Sequence, residues 1–352
     1  MGRSARKSGR TTRVADLAAE LGLSTATVSR ALNGSDAVRP EVARRVLDHA
    51  RRRGYTPNWL ARSLAAQSQT FVGFLVPDIN NTAYSIAAGA CARLLGAHGY
   101  QLILAITGDD PEQEYEALNG IAGTQAASVI VAPSAGITEQ ASRALATMPV
   151  IEFNRTAGLG PRGVFCADRA AFQEATQHLL ELGHTDIGYV GTTDAISNGR
   201  ERLAGVRDAL AAAGLELAPE RVRLLSPTEA RGWAAARELL DRTDRPSALL
   251  AGSSSLSVGA AQVVRELDLT VPDELSLIVY GDPEWSGLCD PGLTTIAVPY
   301  REMAEVVADL IVGLVNGSPR GCAVDEQHWL PARLVSRGST AAPSRSTSTR
   351  RK

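Results

Sequence analysis

Val14-Ala15-Asp16-Leu17-Ala18-Ala19-Glu20-Leu21-Gly22-Leu23-Ser24-Thr25-Ala26-Thr27-Val28-Ser29-Arg30-Ala31-Leu32 decides how the front of this 352-residue chain folds. Apolar residues at 14, 17, 18 and 21 keep the i, i+3, i+4, i+7 spacing of one helix face. Gly22 can supply the positive φ that ends a first helix, Leu23 can plug the turn, and Ser24 is a good N-cap for a second. That second helix runs from Thr25 to Leu32 and stops at Asn33-Gly34, with Val28, Ala31 and Leu32 inward. Its other side presents Thr25, Ala26, Ser29 and Arg30, small or hydrogen-bonding groups plus one guanidinium, a face that a DNA major groove can accommodate. Pro40 suits a first helical turn, and Val42, Val46 and Leu47 give a third helix an apolar side closed by Gly54.

A small helical bundle without a ligand would show the same three-helix pattern, and charge argues against it. Residues 1–64 hold 13 Lys and Arg against 5 Asp and Glu, a net +8, while the remainder is net −10. A basic block on a chain of net charge −2 is the footprint of nucleic-acid binding, whereas phosphate would repel the acidic remainder. Thr56-Pro57-Asn58-Trp59-Leu60-Ala61-Arg62-Ser63-Leu64 then reads as a short helix with Pro at its first position. Residues 1–12, basic among Ser, Gly and Thr, have the composition of a disordered arm.

From Phe71 the pattern changes to short apolar runs, 71–77, 101–105, 128–132 and 149–153, separated by helical stretches at 82–99, 112–123 and 138–147. Near-continuous apolar strands alternating with helices predict a parallel, doubly wound sheet. The alternation restarts at Ala170 and runs to Val279, so two α/β lobes are expected, with a small-molecule cleft at the carboxyl ends of their strands. No apolar run reaches the 18 or so residues of a membrane span and no signal peptide is visible, so the expected location is cytoplasmic. Cys91, Cys166, Cys289 and Cys322 form no C-x-x-C pair and read as buried free thiols, and the histidines lack ligand spacing, so neither metal nor cofactor is implied. Enzyme readings find little support. Gly252-Ser253-Ser254-Ser255-Leu256 lacks the second glycine of a nucleophile elbow, and no dinucleotide or P-loop glycine pattern follows a strand. A solute-binding protein would share the core, yet would need a secretion signal and have no use for residues 14–64. Ser336 to Lys352 contains no Leu, Ile, Val or Phe and reads as a disordered tail.

Asp16-Leu17-Ala18, Gly22-Leu23-Ser24, Thr27-Val28-Ser29-Arg30, Leu32-Asn33-Gly34, Gly54-Tyr55 and Pro57-Asn58 closely resemble the lac-repressor (LacI/GalR) family of bacterial transcription regulators. Leu182-Gly183-His184, Arg202-Leu203-Ala204-Gly205, Val271-Pro272-Asp273-Glu274 and Leu293-Thr294-Thr295-Ile296 extend the resemblance to about Thr340. It implies an α/β protein: a helix-turn-helix DNA-binding domain at 13–56, a hinge helix and linker at 57–69, and a two-lobe core like periplasmic sugar-binding proteins at 70–340. Lobe 1 would take about 70–167 plus 297–326 and lobe 2 about 168–296 plus 327–340, leaving 341–352 as the tail. The resemblance further implies a dimer on double-stranded, pseudo-palindromic operator DNA, most simply a repressor, with a small-molecule effector in the cleft. DNA contacts would come from Thr25, Ala26, Thr27, Ser29, Arg30, Asn33, Tyr55, Asn58 and Ala61, with Leu64 wedged into the minor groove. The family's tetramer-forming leucine heptad has no counterpart in the polar tail.

By the same resemblance the effector would meet Tyr84, Asn154, Arg202, Pro227, Ser254 and Asp282. Several of these depart from the family. Ser253-Ser254 replaces the usual Asn-Asp, Pro227 stands where many members carry an aromatic platform, Asn154 replaces the lac-type aspartate, and Gly281 stands where Asp is usual. Three carboxylate positions are thus neutral while Arg202 remains, which points to an anionic ligand, a sugar phosphate or organic acid, held by Arg202 and the serine turn. A pocket that has lost its effector, or one regulated by a partner protein, is the competing reading.

Overall fold

A computed structural model describes residues 12–32, 35, 37–55, 70–316 and 326–344. They fall into two compact units that divide at Gln69 and Thr70.

The first unit contains α1 (Val14–Leu21), α2 (Thr25–Leu32) and α3 (Pro40–Arg52). Gly22 takes φ 67° and ends α1. Ser24 caps α2 by accepting the Thr27 amide at 3.1 Å. Leu17, Ala18, Val28, Ala31, Val46 and Ala50 are buried together, and Leu23 packs against them. So few apolar residues make a thin core, and polar ties across the helices supplement it: Glu20 on α1 accepts from His49 and from Arg53, each at 2.7 Å. The His49 hydrogen bond and the charge of Arg53 hold the Glu20 carboxyl below its ordinary range. The segment 57–69 expected to form the hinge lies outside the described residues, as does the arm 1–11.

The second unit contains two six-stranded sheets. The first, in the order β11-β5-β4-β3-β1-β2, is parallel throughout. Its strands are β1 (Phe71–Val76), β2 (Gln101–Ile106), β3 (Ser128–Val131), β4 (Val150–Phe153), β5 (Arg162–Cys166) and β11 (Glu326–Leu330). Helices α4 (Thr82–Ala97), α5 (Pro111–Ala122), α6 (Glu139–Leu145) and α11 (Tyr300–Val315) belong to this lobe. The second sheet runs β12-β10-β9-β8-β6-β7 and is parallel except where β12 (Arg333–Val335) meets β10 (Thr294–Ala297). The rest of that sheet is β6 (Ile187–Thr192), β7 (Val222–Leu225), β8 (Ala248–Ala251) and β9 (Ser276–Tyr280), with α7 (Asp168–Glu181), α8 (Ser197–Ala212), α9 (Glu229–Leu240) and α10 (Ser254–Glu266) around it. Strands β1, β3, β4, β6, β8 and β9 are buried along essentially their whole length, as continuous apolar runs require in a sheet covered on both faces. The chain passes between lobes after β5, after β10 and after β11, so both lobes are discontinuous in sequence.

Three expectations need correction. The final return to lobe 2 comes after Leu330 rather than at residue 326, because β11 pairs with β5 of the first sheet. The polar stretch 336–344 is not a free tail. It lies along the second sheet, where the Ser339 hydroxyl accepts the Thr294 amide at 2.7 Å and donates to the Leu277 carbonyl at 2.6 Å. An edge segment can be held by hydrogen bonds without contributing apolar side chains, and composition misses that. Cys91 and Cys166 are buried thiols, but Cys289 is exposed.

Candidate functional site

On the first unit, α2 buries Val28 and Ala31 and turns Thr25, Ala26 and Arg30 to solvent, with Thr27 and Ser29 half-buried at the margin. The Thr27 hydroxyl lies 2.8 Å from that of Ser24, so it helps to shape the N-terminal turn. Arg30 makes no ion pair among the described residues and is free to reach outward. The Tyr55 ring packs against the three-helix core while remaining half-exposed. Asn33, Asn58, Ala61 and Leu64 lie outside the described residues. Arg39, Arg44, Arg51 and Arg52 are exposed on the same unit and give it a positive surface.

In the second unit a cavity of about 110 Å³ opens at the carboxyl ends of both sheets. Tyr84, Asn154, Arg202, Pro227 and Ser254 all line it. Asp282 does not. Gly281, at φ 84°, turns the chain after β9, and Asp282 accepts from Ser286 at 2.9 Å and Thr295 at 3.0 Å and pairs with Arg337 at 2.9 Å. A side chain at 281 would meet the Ser254 hydroxyl at 3.0 Å, so the glycine and the serine fit each other.

Arg202 is 3% exposed, and its guanidinium is committed inside lobe 2. One terminal nitrogen donates to the Gly252 carbonyl at 2.9 Å, the other to Asp168 at 3.1 Å and to the Tyr280 hydroxyl at 2.7 Å. Tyr280 in turn donates to Asp168 at 2.9 Å, and its ring lies 4.1 Å from the guanidinium carbon. Burial alone would weaken the guanidinium as a base, but the Asp168 carboxylate and Tyr280 outweigh it and hold Arg202 well above its ordinary range. The residue therefore fastens together the starts of α7 and α10 and the end of β9, with its charge balanced by Asp168. Of its three nitrogens only Nε is left without a hydrogen-bond partner.

The sequence reading missed Asp109, Arg155, Asn198, Tyr280 and Tyr300, all in the cavity wall. Arg155 follows Asn154 directly, and Asn198 precedes Arg202 by one helical turn on α8, so both could have been found by spacing. Buried Arg155 pairs with Asp109 at 2.7 Å, a second compensated charge. Asn154 and Asp109 hold positive φ, 65° and 62°, a costly conformation that clusters at functional sites. Asn154 Oδ1, Asn198 Oδ1, Ser254 Oγ and the Nε atoms of Arg155 and Arg202 are buried without a hydrogen-bond partner. An unpaired buried donor or acceptor costs about 1–3 kcal/mol, so five in one wall favour a polar guest.

The same two-part organisation is found in known proteins. Residues 13–58 match the model of bacterial regulatory proteins of the lacI family, and residues 176–340 that of a periplasmic binding protein-like domain. The regulator GalR of Escherichia coli K12 is 30% identical over 335 residues, covering 94% of this chain and 96% of GalR. The chain belongs to the lacI family of bacterial regulatory proteins. Catabolite control protein A of Priestia megaterium is 29% identical across 92% of this chain and 98% of that protein. The crystal structure of the lac repressor dimer bound to operator and an anti-inducer superposes with a TM-score of 0.80 over 95% of this chain and 100% of that one, at 22% identity. The regulator CelR in complex with cellobiose gives 0.70 at 26% identity, over 93% of this chain and 99% of that one. As a member of this family the chain is a DNA-binding transcription regulator. Among the described residues no helix is long and apolar enough to cross a membrane.

Proposed function

We propose that this regulator represses transcription as a homodimer on a pseudo-palindromic operator, and that an uncharged, hydroxyl-bearing small molecule in the cleft controls it. The observation that carries the DNA reading is the outward face of α2, where Thr25, Ala26, Ser29 and unpaired Arg30 flank a buried Val28. Helices with such faces read base edges, the arginine by two hydrogen bonds to guanine. Asn33, Tyr55, Asn58, Ala61 and Leu64 belong to the same proposed contact set. Selection of DNA from a random pool by the full chain tests this. Two inverted half-sites should emerge, and a pool that stays random would refute it.

Dimerisation is supported by two apolar areas. Ile106, 53% exposed, and Leu104 lie on the edge strand β2, while Leu288, 84% exposed, stands beside Trp285 on lobe 2. A groove lined by Val258, Trp285, Cys289 and Leu293 adjoins the latter. Helix α4 packs on β2 and touches α10, whose residues line that groove. The occupant we assign is a second copy, as in the dimeric lac repressor of similar fold.

The ligand class rests on charge balance. Both arginines of the cleft are charge-balanced by aspartates, and apart from their two Nε atoms the unpaired buried atoms, on Asn154, Asn198 and Ser254, belong to neutral groups. A relative that binds cellobiose supports the same class. Thermal-shift measurements with neutral sugars, sugar phosphates and carboxylates should single out a neutral compound, and Asn198→Ala should abolish its shift. Stabilisation by anions alone would refute the charge argument.

A further inference from the structure

Four consecutive amides after β4 are all satisfied, and three of the four by lobe 1 itself. Arg155 N donates to the Phe153 carbonyl at 2.8 Å, Ala157 N to the Glu152 carboxylate at 2.6 Å, and Gly158 N to the Thr156 hydroxyl at 3.0 Å. The Thr156 hydroxyl donates to the other Glu152 oxygen at 2.7 Å, so a fully buried carboxylate builds this loop from within its own lobe. The Thr156 amide is different. It donates across the cleft to the hydroxyl of Ser197, the first residue of α8 in lobe 2, at 2.8 Å.

The bond joins two of the segments that present polar groups to the cavity. Asn154 and Arg155 immediately precede Thr156, and Asn198 immediately follows Ser197. We infer that the Thr156–Ser197 hydrogen bond is a closure latch, and that Ser197 is a positioning residue through which cleft occupancy is coupled to DNA binding. The inference rests on the proposed function for the coupling, but not for the latch. When the lobes part, the Thr156 amide loses a partner that no group of its own lobe replaces, so the bond favours closure. The buried, unpaired Oδ1 atoms of Asn154 and Asn198 oppose closure until a guest donates to them. The two terms oppose one another, so the balance between the arrangements depends on what occupies the cleft, and a ligand can shift their populations.

Hydrogen exchange of the full chain, resolved to single amides, tests this without a ligand. Ser197→Ala should speed exchange at Thr156 about 2- to 10-fold, the range set by losing one neutral hydrogen bond, while Ala157 keeps its protection. Ser197→Thr, which retains the hydroxyl, should restore it. The DNA site selected by the wild-type chain should change affinity for Ser197→Ala by up to about the same factor, and return with Ser197→Thr. Unchanged exchange at Thr156 overturns the latch, as does an equal rise at Ala157 and at the core amides of β5, which would report general destabilisation. Faster exchange with identical DNA affinity overturns the coupling. A wild-type chain that selects no DNA sequence would instead defeat the transcription reading, and the exchange result would still decide the latch.

Discussion

Arginine serves opposite purposes in the two units. On the helical unit Arg30, Arg39, Arg44, Arg51 and Arg52 stand in solvent without ion pairs among the described residues, so their charge is available at long range. In the core Arg155 and Arg202 are almost completely buried, and each has an aspartate within 3.1 Å. A solvated guanidinium attracts phosphate and can compete for base edges. A buried, compensated one contributes geometry: its forked donors fix the ends of several elements, while its field is cancelled nearby. Counting arginines therefore says little about which ligand a site prefers; the partner of each one decides.

The contrast can be broken most severely at Asp168. Asp168→Ala leaves the Arg202 guanidinium buried without its counter-charge, and a guanidinium cannot escape by losing its proton. A loss of about 3–5 kcal/mol in denaturant unfolding is expected, with Asp168→Asn intermediate because its amide oxygen still accepts. A change below about 1 kcal/mol would mean that solvent reaches the pair and that Arg202 is closer to the surface type. Removing a solvated arginine should act on binding instead. Arg30→Ala is expected to weaken the selected site by about 1–3 kcal/mol, leaving random-DNA affinity and the unfolding midpoint nearly unchanged. Equal loss on both DNAs would reduce Arg30 to a phosphate contact.

His184 sharpens the comparison with a smaller effect, since it is a buried base without a carboxylate. It lies 2.8 Å from the Ser247 hydroxyl and 2.8 Å from the Ala341 carbonyl, and burial pulls its pKa below the ordinary 6.5. The unfolded chain then takes up the proton first as pH falls. Its contribution to stability is complete above the unfolded value and is lost as pH drops towards the folded one. Relative to His184→Gln, the wild type should lose stability on acidification below pH 6.5, by at most about 1.4 kcal/mol per pH unit. Parallel curves for the two proteins would show that the ring is solvated enough to titrate normally.

The sequence by itself determined what depends on local spacing. The stripe at 14, 17, 18 and 21, the turn at Gly22 and the cap at Ser24 specify α1 and α2 because each rule acts within a few residues. Apolar runs such as 128–131 and 248–251 specify buried parallel strands for the same reason. Five residues that line the cleft, Tyr84, Asn154, Arg202, Pro227 and Ser254, could be named from the resemblance to the lac-repressor family, residue by residue. Only the tertiary structure decided the state of their charges. Asp168 lies 34 residues from Arg202 and Asp109 lies 46 from Arg155, separations that no periodicity records. The same holds for the docked segment 336–344, whose Ser339 and Arg337 find partners in β9 and β10, and for the amide of Thr156, which finds Ser197 only because two lobes close on one another. Hydrogen bonds and ion pairs are short-ranged and directional, so their presence depends on which distant backbone arrives within about 3 Å.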